Sequence, residues 1–209
     1  MRYKLVIFDF DGTLADSFPW FSRILNDVAD RYRFKRVAPG EMDALRTMDA
    51  RALIRHLGVP MWKVPFIAHH MRRRIAQGLD QTRLFDGVET MLRRLADAGV
   101  ALALVSSNSE PNVRAILGAA NAGLIHYYEC GVSLLGKASR FRKVLRRSGI
   151  GASDAICIGD EIRDHEAAQK AGIAFGAVTW GYTKPDTLVA RSPGAVFHSV
   201  GEIADRLGS

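Results

Sequence analysis

Leu5-Val6-Ile7-Phe8-Asp9-Phe10-Asp11-Gly12-Thr13-Leu14 joins four consecutive apolar residues to two carboxylates spaced two positions apart. A short unbroken apolar run reads as a strand buried on both faces, the kind that parallel sheets contain. Such strands deliver their chemistry at the C-terminal edge, where open α/β sheets hold ligands. Strand side chains alternate, so Asp9 and Asp11 leave an ideal strand on the same side unless the chain curls, and Gly12 permits it to curl. Two clustered acids invite a divalent cation, or a division of labour between ligand or nucleophile and proton carrier.

The same grammar recurs downstream. Phe85-Asp86-Gly87 opens a region in which an amphipathic helix from Val88 to Ala98 precedes a second apolar strand, Val100 to Val105, that ends in Ser106-Ser107-Asn108-Ser109. A helix near Pro111 to Ala120, the apolar stretch Ile125 to Tyr128 and a helix from Lys137 to Arg147 follow. A third buried strand, Ala155 to Ile158, ends in Gly159-Asp160-Glu161. The helix Asp164 to Ala171, a strand Ile173 to Val178, an edge strand at Ala195 to Phe197 and a helix Val200 to Leu207 complete the series. This alternation predicts a Rossmann-like three-layer α/β core with a parallel sheet and right-handed crossovers.

Between the first strand and about Arg83 the pattern is helical throughout. Asp16-Ser17 reads as the cap of a helix carrying Trp20, Phe21, Ile24, Leu25, Val28 and Ala29, and Leu53, Ile54, Leu57, Ile67, Met71, Ile75 and Leu79 continue the apolar face. The expected organisation is a core of residues 1–15 and 84–209, interrupted by a cap of three to five helices over 16–83. That insert is basic, with Arg46, Arg51, Arg55, Lys63, Arg72, Arg73, Arg74 and Arg83, and it contributes to a net charge of +7 over 209 residues. The charge can attract an anionic small molecule; nucleic acid is the weaker reading, because the base-stacking signatures that accompany it are missing.

With 48% hydrophobic and 24% charged residues the composition is that of an ordinary globular protein. The first apolar run is too short for a signal peptide or a membrane span, and Cys130 and Cys157 show neither metal-ligand spacing nor a disulfide framework. The expectation is a cytoplasmic protein without membrane or nucleic-acid partners. Oligomeric state is not encoded in any recognisable pattern.

If the strands run parallel, Asp9, Asp11, Ser106, Asp160, Glu161 and Asp164 meet at one edge, with Lys137 entering at a helix start. Clustered carboxylates repel unless a cation neutralises them, and Mg²⁺ is the oxygen-seeking candidate. A phosphoryl group fits every element: Asp9 can attack phosphorus, Ser106 and the amides after it can bind the phosphoryl oxygens, and Lys137 can neutralise accumulating charge. Asp11 can protonate the leaving oxygen and then activate water.

Asp9-Phe10-Asp11-Gly12-Thr13-Leu14, Ser106-Ser107, Lys137 and Gly159-Asp160-Glu161-Ile162-Arg163-Asp164 resemble, in order, the four motifs of the haloacid dehalogenase-like superfamily of phosphohydrolases. The resemblance spans essentially the whole chain, and the helical insert is similar to the cap of the phosphoglycolate phosphatase-like branch. It implies a Mg²⁺-dependent phosphatase acting on a small phosphomonoester, phosphoglycolate-like or a sugar phosphate, through a phosphoaspartate. In that reading Asp9 is the nucleophile and Asp11 the acid/base. The metal is held by Asp9, the backbone carbonyl of Asp11 and Asp160, with Asp164 and Glu161 in support. Gly12, Thr13, Ser106, Ser107 and Lys137 contact the phosphate, and Arg46 acts in substrate choice. The chain departs from the family's pattern at Lys137-Ala138-Ser139, where Pro often follows Lys. It departs again at Glu161, which is expected to pair with Ser106 or Lys137 or, as the alternative, to reach the metal through a water.

Other readings differ in the residues they need. Dehalogenation belongs to a branch that lacks the second Asp, and phosphonatase chemistry needs a cap lysine, for which only Lys35 and Lys63 are available. A phosphosugar mutase shares all four motifs. A non-catalytic protein that binds a partner or nucleic acid through the basic insert would tolerate loss of a catalytic carboxylate, and none is missing.

Overall fold

The computed structural model describes residues 3–133 and 136–208. At its centre β1 (Leu5–Phe8) is flanked by β4 (Ala101–Val105) and β6 (Ala155–Gly159), with Leu5 in register with both Ala101 and Ala155. The sheet has six strands in the order β5-β4-β1-β6-β7-β8, all parallel, where β5 is Tyr127–Glu129, β7 Ala174–Val178 and β8 Ala195–Phe197. The chain moves outward from β1 through β4 to β5, then returns to the other flank for β6, which places a topological switch point beside β1.

The unbroken apolar runs are explained by what covers the two faces. Val6 and Phe8 enter one cluster with Leu102, Leu104, Ile156 and Ile158. Leu5 and Ile7 enter another with Ala103, Val105, Ala155 and Cys157. The first cluster is closed by α5 (Val88–Asp97), α6 (Glu110–Leu124) and α10 (Val200–Leu207), the second by α7 (Lys137–Ser148), α8 (Ile162–Ala171) and α9 (Pro185–Val189). Each fully buried Leu, Ile or Phe contributes about 1.5–3 kcal/mol, so all four residues of β1 have a packing reason to be apolar.

Four α-helices lie between β2 (Ala15–Asp16) and β3 (Arg83–Leu84): α1 (Phe18–Tyr32), α2 (Met42–Leu45), α3 (Ala50–His56) and α4 (Val64–Gln77). They bury two small clusters of their own, Trp20, Ile24, Val28 and Ile75 in one and Leu25, Val37, Leu45 and Leu57 in the other. Among the described residues, no helix is long and apolar enough to cross a membrane.

Several expectations need correction. Asp16 is not a helix cap; it pairs with Arg83 in a two-stranded antiparallel ribbon, β2 with β3, that the helical pattern concealed. Two-residue strands are too short to leave a period. Ser17 holds the N-cap position of α1 as expected, but its side chain makes no cap bond and its hydroxyl lies 3.0 Å from that of Tyr182. Helix α6 runs beyond Ala120 to Leu124 through a break at Gly118, where φ is +74°, a conformation glycine adopts without cost.

Candidate active site

The polar end of the opening stretch is shaped by its backbone. The Asp9 amide makes the last ladder bond, to Ile158 O at 2.9 Å, and the Phe10 amide then donates to Asp9 Oδ1 at 2.8 Å. The chain curls at once, with the amides of Thr13, Leu14 and Ala15 all converging on Phe10 O. Gly12 sits in the curl at φ +80°, and a Cβ there would lie 2.3 Å from Asp160 Oδ2. Both conformation and space therefore demand glycine. Thr13 Oγ1 donates to Asp160 Oδ1 at 2.7 Å, and the Tyr182 amide donates to Asp160 Oδ2 at 2.7 Å.

Asp9, Asp160 and Asp164 are all buried, and one oxygen from each lies within 4.8 Å of the others. Lys137, equally buried, reaches into this group, with its ammonium 2.6 Å from Asp9 Oδ2 and hydrogen-bonded to Asp164 Oδ1. The other Asp164 oxygen accepts from the Glu161 amide at 3.1 Å. The approach of Lys137 to Asp9 Oδ2 lacks hydrogen-bond alignment, so this buried oxygen has a charged neighbour but no donor aimed at it.

Negative charge here exceeds what the lysine neutralises. Burial, together with Glu161, Asp9 and Asp164, pushes Asp160 well above the usual carboxylate range. Burial also raises Asp164 to about 7, against the pull of Lys137. For Lys137, burial alone would depress the ammonium, but Asp164 and Asp9 outweigh it and raise its pKa. An orphaned carboxylate oxygen among three buried acids fits a hard, oxygen-seeking cation such as Mg²⁺.

Asp11 stands apart from that cluster and lines a cavity of about 280 Å³ between the sheet edge and α1–α4. Burial first, and then the charge of Asp9, lift its carboxyl to about 6, with hydrogen bonds from Ser17 and Asn108 opposing. Asn108 Nδ2 donates to Asp11 Oδ2 at 3.2 Å and is itself fixed by Asn112. Ser106, buried at the end of β4, accepts from the Asn108 amide at 3.0 Å, while Ser107 faces the cavity.

Two expected residues sit differently from their sequence reading. Glu161 pairs with neither Ser106 nor Lys137; its carboxylate accepts from Arg163 Nη2 at 2.6 Å. Arg46 lines the cavity, but its Nε and Nη2 donate to the carbonyls of Tyr182 and Gly181, at 2.9 and 3.0 Å, tying α2 to the loop after β7. Asn108, Ser17, Arg163 and Tyr182 join the site unforeseen. Tyr182 follows a fourth parallel strand, and asking what that strand presents at the same edge would have found it.

A family profile described as haloacid dehalogenase-like hydrolase matches residues 6–178. The chain belongs to the haloacid dehalogenase-like hydrolases. A phosphoglycolate phosphatase of Synechococcus elongatus is 32% identical over 191 residues, 91% of this chain and 90% of its own. A second phosphoglycolate phosphatase, from Rhodobacter capsulatus, is 32% identical over 211 residues, 92% of this chain and 91% of its own. A crystal structure of a Lactobacillus plantarum protein superposes on 98% of this chain and 99% of its own with a TM-score of 0.84 and 21% identity, which speaks to the fold alone.

Proposed function

We propose that this hydrolase is a Mg²⁺-dependent phosphatase that cleaves a small phosphomonoester through a phosphoaspartate on Asp9. The observation that carries the reading is the convergence of Asp9, Lys137, Asp160 and Asp164 from distant parts of the chain onto one sheet edge, with Asp11 beside them lining a cavity. The relatives named phosphoglycolate phosphatase support a small phosphorylated metabolite as substrate.

A carboxylate oxygen of Asp9 attacks phosphorus, and the bond to the leaving oxygen breaks. Asp11 gives that oxygen its proton. The resulting carboxylate of Asp11 takes a proton from water, which attacks the phosphoaspartate, releases inorganic phosphate and restores Asp9. A carboxyl held near 6 is suited to both transfers around neutral pH. Lys137 neutralises charge on the transferring group, and Ser106, Ser107 and the Gly12-Thr13 turn hold its oxygens. Asp9 and Asp160, with the Asp11 carbonyl, would hold Mg²⁺, which screens the attacking carboxylate from the phosphate dianion. Asp164 orients Lys137.

In this reading residues 16–83 form a cap over a core of 1–15 and 84–209, and the β2–β3 ribbon carries both crossings. Lys35 donates to Glu41 and Lys63 to Tyr32 O, and neither lines the cavity, which argues against a cap-lysine chemistry. The unpaired thiols of Cys130 and Cys157 support a reducing, cytoplasmic setting. The test is acid quench during turnover of p-nitrophenyl phosphate, with mass spectrometry expected to find phosphate on the peptide carrying Asp9. Release of inorganic phosphate, rather than interconversion of phosphosugar isomers, separates this reading from a mutase.

A further inference from the structure

Three guanidinium groups line the cavity beside Asp11, those of Arg46, Arg72 and Arg163, against two carboxyl groups, Asp11 and Glu161. A guanidinium carries five N–H donors in a planar fork, and much of that capacity is uncommitted here. Arg46 donates through Nε and Nη2 to the carbonyls of Tyr182 and Gly181, and Arg72 through Nη1 to Ser107 O at 3.2 Å. Arg163 is the second residue of α8, at the sheet edge. Its Nη2 donates to Glu161 Oε1 at 2.6 Å, and its buried Nε has no hydrogen-bond partner among the described residues. A buried donor on a charged group is costly to leave unpaired, and native structures keep one chiefly where a ligand, ion or water supplies the acceptor.

The place of Arg163 separates it from the phosphoryl site. Asp9, Ser106 and Lys137 do not line the cavity, whereas Arg163 does, together with Asp11, whose proton goes to the leaving oxygen. The guanidinium therefore borders the space that a leaving group fills. Much of the remaining wall is apolar, with Phe21, Leu53, Met71 and Ile75 from the helical segment, so an anion entering it loses water and needs a charged donor. We propose that Arg163 is a specificity-determining residue, binding an oxyanion, carboxylate or second phosphate, on the leaving group of the substrate. This assignment rests on the phosphatase reading and refines it. Glu161 engages the guanidinium through Nη2 alone, which leaves the other N–H groups of the fork for a charge-assisted contact with the substrate. An uncharged leaving group would keep that fork unpaired beside apolar walls, which disfavours it.

The test uses the intact protein with Mg²⁺ and compares 2-phosphoglycolate and ethylene glycol bisphosphate with propyl phosphate, whose leaving group is uncharged; p-nitrophenyl phosphate is the turnover control. Wild type should favour at least one anionic substrate over propyl phosphate by about tenfold or more in kcat/KM, and the better of the two identifies the oxyanion. Arg163→Gln should lower that ratio by about tenfold or more, chiefly through KM. Arg163→Lys should recover only part of it, because an ammonium lacks the planar fork. The double variant Glu161→Gln/Arg163→Gln, which leaves no carboxylate without its partner, should show the same loss of ratio, with circular dichroism reporting that each variant is folded. A wild-type ratio near or below one, or a ratio that the folded variants leave unchanged, as equal losses on every substrate would, overturns the proposal while the phosphatase reading stands. Failure of wild type to hydrolyse any monoester, the control included, overturns both.

Discussion

The ammonium of Lys137 lies 2.6 Å from Oδ2 of Asp9, and both groups are withdrawn from solvent. Helix α7 contributes the lysine at its first residue and β1 ends just before the aspartate, so the contact exists only in the assembled sheet. Removing the cation leaves Asp9 and Asp164 buried without their common partner. Lys137→Ala should therefore cost about 3–5 kcal/mol of stability at neutral pH, read as a lowered denaturation midpoint. Activity should fall at least about 100-fold, because a charge aimed at the transferring group is lost.

Gly12 makes a second, steric prediction. With φ at +80° and Asp160 Oδ2 in the place of a Cβ, Gly12→Ala must move the Asp9–Thr13 curl or Asp160. A cost of about 1–3 kcal/mol is expected from the strained backbone, with a larger proportional loss in kcat than in stability. Parallel thermal melts and steady-state rates on the same preparation check this.

Much of this site was legible in the sequence because a parallel sheet converts linear order into spatial convergence. Apolar runs ending in Asp9, Ser106 and Asp160 are readable one at a time, and the fold brings their ends to one edge. What escaped were contacts whose partners carry no local signature. Tyr182 reaches Asp160 through a backbone amide, which any residue but proline supplies. Asn108 orients Asp11 from within a run of serines where its side chain is not distinctive. The β2–β3 ribbon escaped because its strands are two residues each.

Arg46 links two parts of the chain that enclose the cavity. Its two parallel N–H groups meet the neighbouring carbonyls of Gly181 and Tyr182. Arg46→Ala should raise KM by about tenfold, equivalent to roughly 1–2 kcal/mol of lost hydrogen bonding, with a smaller change in kcat. Arg46→Lys should not restore it, since an ammonium cannot serve both carbonyls with a planar fork. Steady-state kinetics of the two variants distinguishes this positioning role from simple charge.

Away from the site, Glu129 is buried at the sheet edge with Arg140, Lys143 and Arg147 around it. Burial opposes its ionisation, but hydrogen bonds from Lys143, Arg140 and Arg147 prevail and hold its carboxyl below the usual range. A folded-state value below the unfolded one means the stabilisation is fully present above the ordinary glutamate value, about 4.3, and is lost as pH falls through the folded one. Glu129→Gln should therefore be less stable than wild type at neutral pH and should lose less stability on acidification. Denaturant melts between neutral pH and pH about 3 measure the difference.

Everything proposed for the chemistry depends on Asp9 forming a bond to phosphorus. Asp9→Asn keeps the size and the backbone contact of the side chain and removes its nucleophilic charge. The decisive measurement is Mg²⁺-dependent hydrolysis of p-nitrophenyl phosphate by this variant, with circular dichroism showing that it is folded. A fall in kcat of at least about 1000-fold is expected for loss of the nucleophile. A folded Asp9→Asn protein as active as wild type would contradict the mechanism.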